Sequence, residues 1–533
     1  MARRFVAPEA RSHQLTARDD GSWLCADGPY LGCVKALCGL YPALRVPDDR
    51  NRAIPFHQRA ARVAIVTMKL DRSPPCIDEY NVPGSTAALK DRLLAFPPRI
   101  QCHADCEAES VIYLVEGLNP EIVSIFGYKL DMDPMVFANH ERTSNHQPLP
   151  NDPGLGPRLP SLINRDKTWH MSYYDIRIPP PDDTLTSYSV GCALSGRAAQ
   201  TQSINGKWEQ PFILTRKCSV WRQGGCGDNI PQTLILCDPP FSKAHVWSKS
   251  ATPGQWEIKV KNISTMPHQG GYADVLPRPI SFISWQSPGP ERQGLYGDLL
   301  YYLTQRTQEV LSEENMSIDV EKTTIRIITS HYLLLLDYFD GIIFGREFPL
   351  SRKTNFSTQE TLKMEEQWST IQLIRSSLSR YIQNVSGAMV QLQIPFEDPG
   401  STNSTPNPLS SDFQQDFQYI YMQLRVLKTR ADLLNESLTG LTGILGNKRS
   451  IREAKTVKTL TLVALIFIPL SFASALFSMY DDFLPGRERF WVFWVVSLPL
   501  VIAVLVLATI LDFGYDDNGT WRPTIYLSSW KEK

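Results

Sequence analysis

The sequence predicts an α/β cytosolic domain, long coiled-coil stalk helices and a C-terminal two-helix transmembrane hairpin. Three observations predict it. The runs Thr459 to Tyr480 and Phe490 to Leu511 contain no charged residue. Upstream of the first run, Phe417, Ile420, Leu424, Leu427, Ala431, Leu434, Leu438, Leu441 and Leu445 alternate steps of three and four. Between Arg62 and about Leu350, short apolar runs are broken by Pro and Gly, the pattern of strands alternating with helices.

Residues 1–60 fit no element. Arg3, Arg4, Arg11 and Arg18 precede no apolar stretch, so a secretory signal is not expected, and Glu9 and the missing amphipathic stripe argue against a mitochondrial presequence. The formal net charge is -1 with no long Lys/Arg block, which gives nucleic acid no electrostatic footprint.

Residues 61–350 form the predicted α/β domain. Val63 to Met68, Val111 to Val115, Trp169 to Ile178, Ser187 to Leu194 and Thr233 to Cys237 have strand character. Asn119 and Pro120 give a helix cap and a first-turn proline, opening a helix to about Leu130. Gly297 to Leu311 and Ile325 to Asp340 are further helices. The ten cysteines have irregular spacing; Cys102, His103, Asp105 and Cys106 come nearest to a metal motif, but no second pair follows. Reduced thiols are the expectation. No phosphate loop, nucleophile elbow or zinc-protease motif is present, so neither an enzyme nor a cofactor is expected. His140 and His146 flank a polar turn and are expected in solvent.

Residues 351–395 hold a long helix, with Trp368, Ile371, Ile374, Leu378, Ile382, Val385, Met389 and Leu392 at helical spacing. A Pro- and Ser-rich linker, 396–411, lets the chain fold back. The stalk, 412–458, carries the heptad seam, which predicts a homo-oligomer or an intramolecular helix pair. Carried on to Met479, it would be about 100 Å long. Gly440, Gly443 and Gly446 mark either a soft spot or a hinge before the membrane.

Residues 459–480 and 490–511 each supply the roughly 20 apolar residues that cross a lipid bilayer, and both are apolar on every side, unlike a soluble helix. Pro469 kinks the first. The short loop 481–489 forces an antiparallel hairpin. Lys448, Arg449, Arg452, Lys455 and Lys458 precede the first span, against Arg487 and Arg489 in the loop, so the N-terminal region and the tail 512–533 are expected in the cytosol. The tail starts acidic, with Asp512, Asp516 and Asp517.

The run from Leu460 through Pro469 to Phe477-Ser478-Met479-Tyr480 resembles the pore helix of CorA-type magnesium transporters, as does its place between a long stalk helix and a second C-terminal span. Leu114 to Pro120 and Leu130 to Pro134 resemble divergent fungal members. The resemblance in layout covers residues 110–511. It implies a homo-oligomer, a pentamer in the family, that passes divalent cations passively with no covalent cofactor. By resemblance, Leu460, Ala464, Ile468, Ser471 and Ala475 line the pore. Ser478, Met479 and Tyr480 stand where the family has Gly-Met-Asn, so only Met479 is kept. Asp481 and Asp482 attract cations at the mouth, with Arg487 and Arg489 opposing them. The departure from the motif leaves a second reading, a non-conducting membrane-anchored scaffold or sensor on the same fold.

Overall fold

The computed structural model describes residues 20–45, 53–69, 74–95, 108–142, 168–179, 190–201, 211–223, 230–249, 256–275, 289–306, 319–352, 358–396, 411–478 and 489–514. The chain divides into two compact units, Met1–Glu436 and Ser437–Lys533.

The first unit is built on an 11-stranded sheet. Its strands are β1 (Ala61–Lys69), β2 (Cys76–Val82), β3 (Ala108–Glu116), β4 (Thr168–Ile178), β5 (Val190–Cys192), β6 (Ala198–Thr201), β7 (Phe212–Gln223), β8 (Gln232–Cys237), β9 (Lys243–Lys249), β10 (Trp256–Asn262) and β11 (Met266–Pro267). The order is β10-β9-β5-β6-β7-β8-β3-β1-β2, and β4 pairs with β7 and β11. Pairing is antiparallel except between β3 and β8, which run parallel from Val111↔Gln232 to Glu116↔Cys237.

Strand alternation sends successive side chains to opposite faces, and both faces are covered. Val63 and Ile65 of β1 pack with Tyr113 of β3 and Leu236 of β8 beneath α1 (Pro29–Cys38), α2 (Thr86–Ala95), α3 (Pro120–Lys129) and α4 (Pro134–Glu141). Ala64 and Val66 point the other way, into a larger core with α5 (Leu295–Tyr301), α6 (Val320–Arg352), α7 (Thr358–Gln391) and the start of α8 (Ser411–Phe477). The unit is thus an α/β/α sandwich, two helical layers around one sheet.

The cap on α3 forms as its residues dictate: Asn119 Oδ1 accepts from the Ile122 N–H at 2.9 Å, with Pro120 at the first turn. Part of the N-terminal stretch that fitted no element proves to be core. Tyr30 of α1 lies against Gly127, where an added Cβ would come within 2.3 Å of the ring, and its hydroxyl donates to the Met132 carbonyl at 2.8 Å. Only glycine leaves room there.

Four strands lie where the apolar runs place them, β1, β3, β4 and β8, and the Ser187–Leu194 run holds the shorter β5, but β7 was not anticipated. Its middle reads Thr215, Arg216, Lys217, and these polar residues break the apolar pattern. Thr215 and Arg216 are nonetheless buried and Lys217 is half-buried, and Asp175 of β4 lies 3.8 Å from Arg216 as a partner. The Gly297–Leu311 prediction begins in α5, which a π turn follows at Tyr302–Arg306, and its last five residues lie outside the described ones. The predicted Ile325–Asp340 helix is longer, because Asp319 Oδ1 accepts from the Glu321 and Lys322 N–H groups and starts α6 early.

The heptad seam from Phe417 to Leu434 is buried within the chain, while Leu441 is half-buried. Phe417, Ile420, Leu424, Leu427 and Ala431 share a core with Ile374, Leu378, Tyr381 and Met389 of α7 and Tyr332, Leu335 and Phe339 of α6. Polar ties flank it. Arg375 Nε donates to Asp432 Oδ1 at 2.5 Å, Gln372 Nε2 to Asn435 Oδ1 at 2.8 Å, and Arg430 pairs with Asp340 and Glu347. Of the two uses open to the seam, the structure adopts the intramolecular one.

In the second unit α8 continues as unbroken helix through Gly440, Gly443, Gly446 and Pro469 to Phe477, and α9 spans Trp491–Gly514. A Cβ built on any of those three glycines meets nothing within 4 Å, so no close contact within the chain requires them.

Candidate functional site

Two candidate centres follow from this fold, a buried polar cluster in the sandwich and the apolar hairpin at the C-terminus. His140, expected in solvent, is 2% exposed. The reason is a partner: Ser219 Oγ of β7 lies 2.8 Å from His140 Nδ1 and 2.8 Å from His170 Nδ1. Asp238 Oδ1 lies 3.7 Å from His140 Nε2 and its other oxygen accepts from Arg197 Nε at 2.6 Å. A serine between a histidine and a carboxylate has the parts of a nucleophilic site. Ser219, however, has no exposed surface, so substrate has no route to its hydroxyl. Burial, with the cations Arg197 and Lys217 nearby, holds His140 well below the ordinary imidazole range, and burial pulls His170 down to about 3. Both rings are neutral at neutral pH. One hydroxyl between two such rings can donate to only one, so the rings take opposite Nδ1 roles. The cluster fastens α4 to β4 and β7. His146 and the Cys102–Cys106 cluster lie outside the described residues. Among those described, no group of three His, Cys, Asp or Glu side chains could hold a metal ion.

The hairpin is a different kind of surface. The most apolar 18 residues within Ser450–Phe477 of α8 have a mean hydropathy of 2.3, and Trp491–Ala508 of α9 one of 2.6, and the chain itself buries 11% and 6% of those windows. A third helix, Val320–Glu347, is long and apolar enough by composition, its most apolar 18 residues averaging 1.3, but half of that window is buried in the sandwich. Apolar surface left open on this scale belongs in lipid or against other protein. The chain is a membrane protein. Hydroxyls within the first span are satisfied on their own helix: Thr461 donates to the Val457 carbonyl at 2.8 Å and Ser471 to the Ile468 carbonyl at 2.9 Å. Pro469 removes the N–H that would close a turn onto the Leu465 carbonyl.

The two helices meet along one side. Pro469 and Ala473 of α8 and Ser497 of α9 are buried, and the Phe477 and Phe493 rings meet edge-on with centroids 6.1 Å apart. The residues assigned by resemblance to the pore fall on the other side of α8. Leu460 is 70% exposed and Ile468 66%, Ser471, Ala475 and Ser478 are exposed, and Ala464 is half-buried at the margin. Steps of four, four, three, four and three from Leu460 to Ser478 keep them on one face. The Ser478 N–H donates to the Ser474 carbonyl at 2.9 Å, the last helical bond of the span. Met479, Tyr480, Asp481 and Asp482 lie outside the described residues. The α9 contact was not read from the sequence; Pro469, Ala473 and Phe477 at steps of four were the available signal.

A family model described as CorA-like Mg2+ transporter protein matches residues 373–512, from α7 to the end of the second span. No curated protein matches the chain. A solved structure titled "structure of the full-length CmaX protein" is similar at 11% identity and a TM-score of 0.39, over 85% of this chain and 98% of that one.

Proposed function

We propose that the chain is one subunit of a homo-oligomeric CorA-like channel or transporter that carries divalent cations, magnesium first, passively across a membrane. The observation that carries this reading is the open face of α8 within the segment matched by the CorA-like model. Leu460, Ala464, Ile468, Ser471 and Ala475 line the conduction path, and an apolar lining of this kind closes by dewetting. Ser478, Met479, Tyr480, Asp481 and Asp482 form the outer mouth. Magnesium is cargo here, and no resident cofactor takes part. The basic flank before the first span sets both termini in the cytosol.

Assembly is supported by a second stripe on the stalk. Tyr419 is 50% exposed, Met422 38%, Val426 51% and Leu433 58%, and their spacing places them opposite the buried seam. A helix apolar on two opposite faces, with one already covered, offers the other to copies of itself. The pentamer follows from the resemblance.

The test is divalent flux into liposomes holding the purified chain, compared with a Ser478→Gly, Tyr480→Asn double variant that restores the family filter. Tyrosine rings crowd a mouth that must hold a hydrated ion. The wild type is expected to show measurable flux, and the double variant more, shifted toward magnesium. If neither conducts as an intact, inserted oligomer, the transport reading is abandoned in favour of a membrane scaffold.

A further inference from the structure

Below the first span, cations of α8 gather along one side of the helix. Leu460 continues the uncharged run, and Lys458, Lys455 and Arg452 precede it by about 3, 8 and 12 Å along the axis. Each stands three residues from the next, about 60° around the helix, so the three form one slanting strip. Followed forward in steps of three and four, Arg452 and Lys455 reach Ile466, Pro469 and Ala473, on the side that meets α9. Spacing places Lys448 on the same side, about one turn below Arg452. Glu453 is already engaged within the chain and lies around the helix from the strip, with Arg449 one turn before it.

The strip is open. Every residue from Ser450 to Leu460 is exposed, and among the described residues no carboxylate pairs with Arg452 or Lys455. Lys458 has an interaction of its own within the chain, so the site is built on the other two. Phe493 meets Phe477, and from there α9 runs about 32 Å to Gly514, level with Thr456. Helix α9 therefore ends before it reaches Arg452. Like charges three residues apart on a helix repel, and positive-inside placement asks for cations before a span without grouping them on one side. An anion lying between them offsets the repulsion. Depth selects its source. A headgroup layer about 5–8 Å thick borders the hydrocarbon core, so Lys455 stands at phosphate depth, and Arg452, about 5 Å lower, is within the reach of its long side chain.

We infer that Arg452 and Lys455, with Lys458 above them, bind the phosphate headgroup of an anionic phospholipid in the leaflet on the N-terminal side, at the foot of the hairpin beneath the end of α9. The site depends on the membrane hairpin and not on transport. Each Lys or Arg near a membrane surface strengthens attraction to anionic lipid about five-fold.

The test places the full-length chain in phosphatidylcholine vesicles doped with phosphatidylserine. Paramagnetic resonance then compares how much spin-labelled phosphatidylserine and phosphatidylcholine the protein immobilises. The wild type is expected to prefer phosphatidylserine, and Arg452→Gln and Lys455→Gln each to lower that preference about five-fold. Arg449→Gln, off the strip, is expected to match the wild type. A fourth variant joins Arg452→Gln and Lys455→Gln to Ser450→Lys and Val457→Lys, which keeps the number of cations before the span, and so its insertion, but moves them to the other side. It is expected to bind as weakly as the double Gln variant. Equal binding by the relocated variant and the wild type assigns the preference to net charge and overturns the inference, as does a wild type with no preference or an equal loss in Arg449→Gln. Millimolar inorganic phosphate at matched ionic strength is expected to leave the preference unchanged, and displacement of the lipid would make free phosphate the ligand instead. No arm reads flux, so the outcome is separate from whether the chain conducts.

Discussion

The two halves of α8 are one helix with opposite solutions to the same problem. In the stalk half, Phe417, Leu424 and Leu427 are at most 4% exposed, because α6 and α7 of the same chain cover them. In the membrane half, Leu460, Phe467, Ile468 and Phe472 are each more than 60% exposed, and among the described residues the Pro469–Ala473 side is the buried one. A narrow stripe is enough to bind a helix to its own chain in water, while a helix apolar all round needs a different solvent. The difference separates residues that matter for folding from those that matter for what surrounds the membrane unit.

The largest expected effect lies in the stalk. Leu424→Ala empties a fully buried site and is expected to cost ~3 kcal/mol in unfolding of the detergent-solubilised chain. Leu433→Ala, on the open stripe, is expected to change that unfolding by less than ~0.5 kcal/mol. Val426→Asp on the same stripe is expected to leave the fold intact while lowering the oligomer's mass in light scattering. Equal losses of stability at Leu424 and Leu433 would break the division between the two stripes.

A smaller effect comes from pH and should be confined to the sandwich. Burial lowers His140, His170 and His331, the last to about 4. As pH falls below the ordinary imidazole value, the unfolded chain takes up these protons while the folded chain resists. Stability therefore falls, by at most ~1.4 kcal/mol per pH unit for each group. Asp298 works the other way, since burial pushes it up to about 6. The folded state binds its proton first, which offsets one of the three histidines below that pH. Thermal melting of the sandwich should drop between pH 6.5 and 5. A melting temperature that holds or rises over that range would mean these histidines are not buried neutral.

The smallest expected effect is none at all. Asn262, Asn315, Asn355, Asn384, Asn403 and Asn435 stand in Asn-x-Ser/Thr sequons, which accept glycans only on the lumenal side. With the N-terminal region cytosolic, all six stay bare. A glycosidase-sensitive mobility shift would reverse the orientation. Asn384 and Asn435 carry a second reason, since each is hydrogen-bonded between elements, to Tyr174 and Gln372.

What was legible in the sequence was whatever repeats over long distance on one element. The hairpin and the seam declare themselves through twenty or more residues of one pattern, and α3 through a cap whose partners lie three residues apart. Strand β7 was hidden because Arg216 and Lys217 find partners far along the chain, Asp175 on β4 for Arg216 and the Asn139 carbonyl on α4 for Lys217. The burial of His140 was hidden for the same reason: Ser219 is 79 residues away. Helix α1 has no clear periodicity, and its place depends on one ring fitting over Gly127. On the membrane face, the positions of Leu460 to Ser478 were set by helical spacing, whereas the α9 contact depends on a second helix.

The apolarity of α6 matters before the protein is finished. Val320–Glu347 is a plausible span by composition. Strand β4 and helix α5, which cover part of it, precede it in the chain, but the seam residues of α8 that complete the cover are translated only afterwards. That is about 80 residues later, or some 4–16 s at ordinary elongation rates. During that interval the α8 side of α6 lacks its cover. Asp337 and Asp340 lie on its exposed side, and an aspartate at the centre of a span disfavours insertion by about 2.5–3.5 kcal/mol. Asp340 later pairs with Arg430 of α8. The carboxylate that first keeps α6 out of the bilayer thus ends as the clasp that fastens it to its cover.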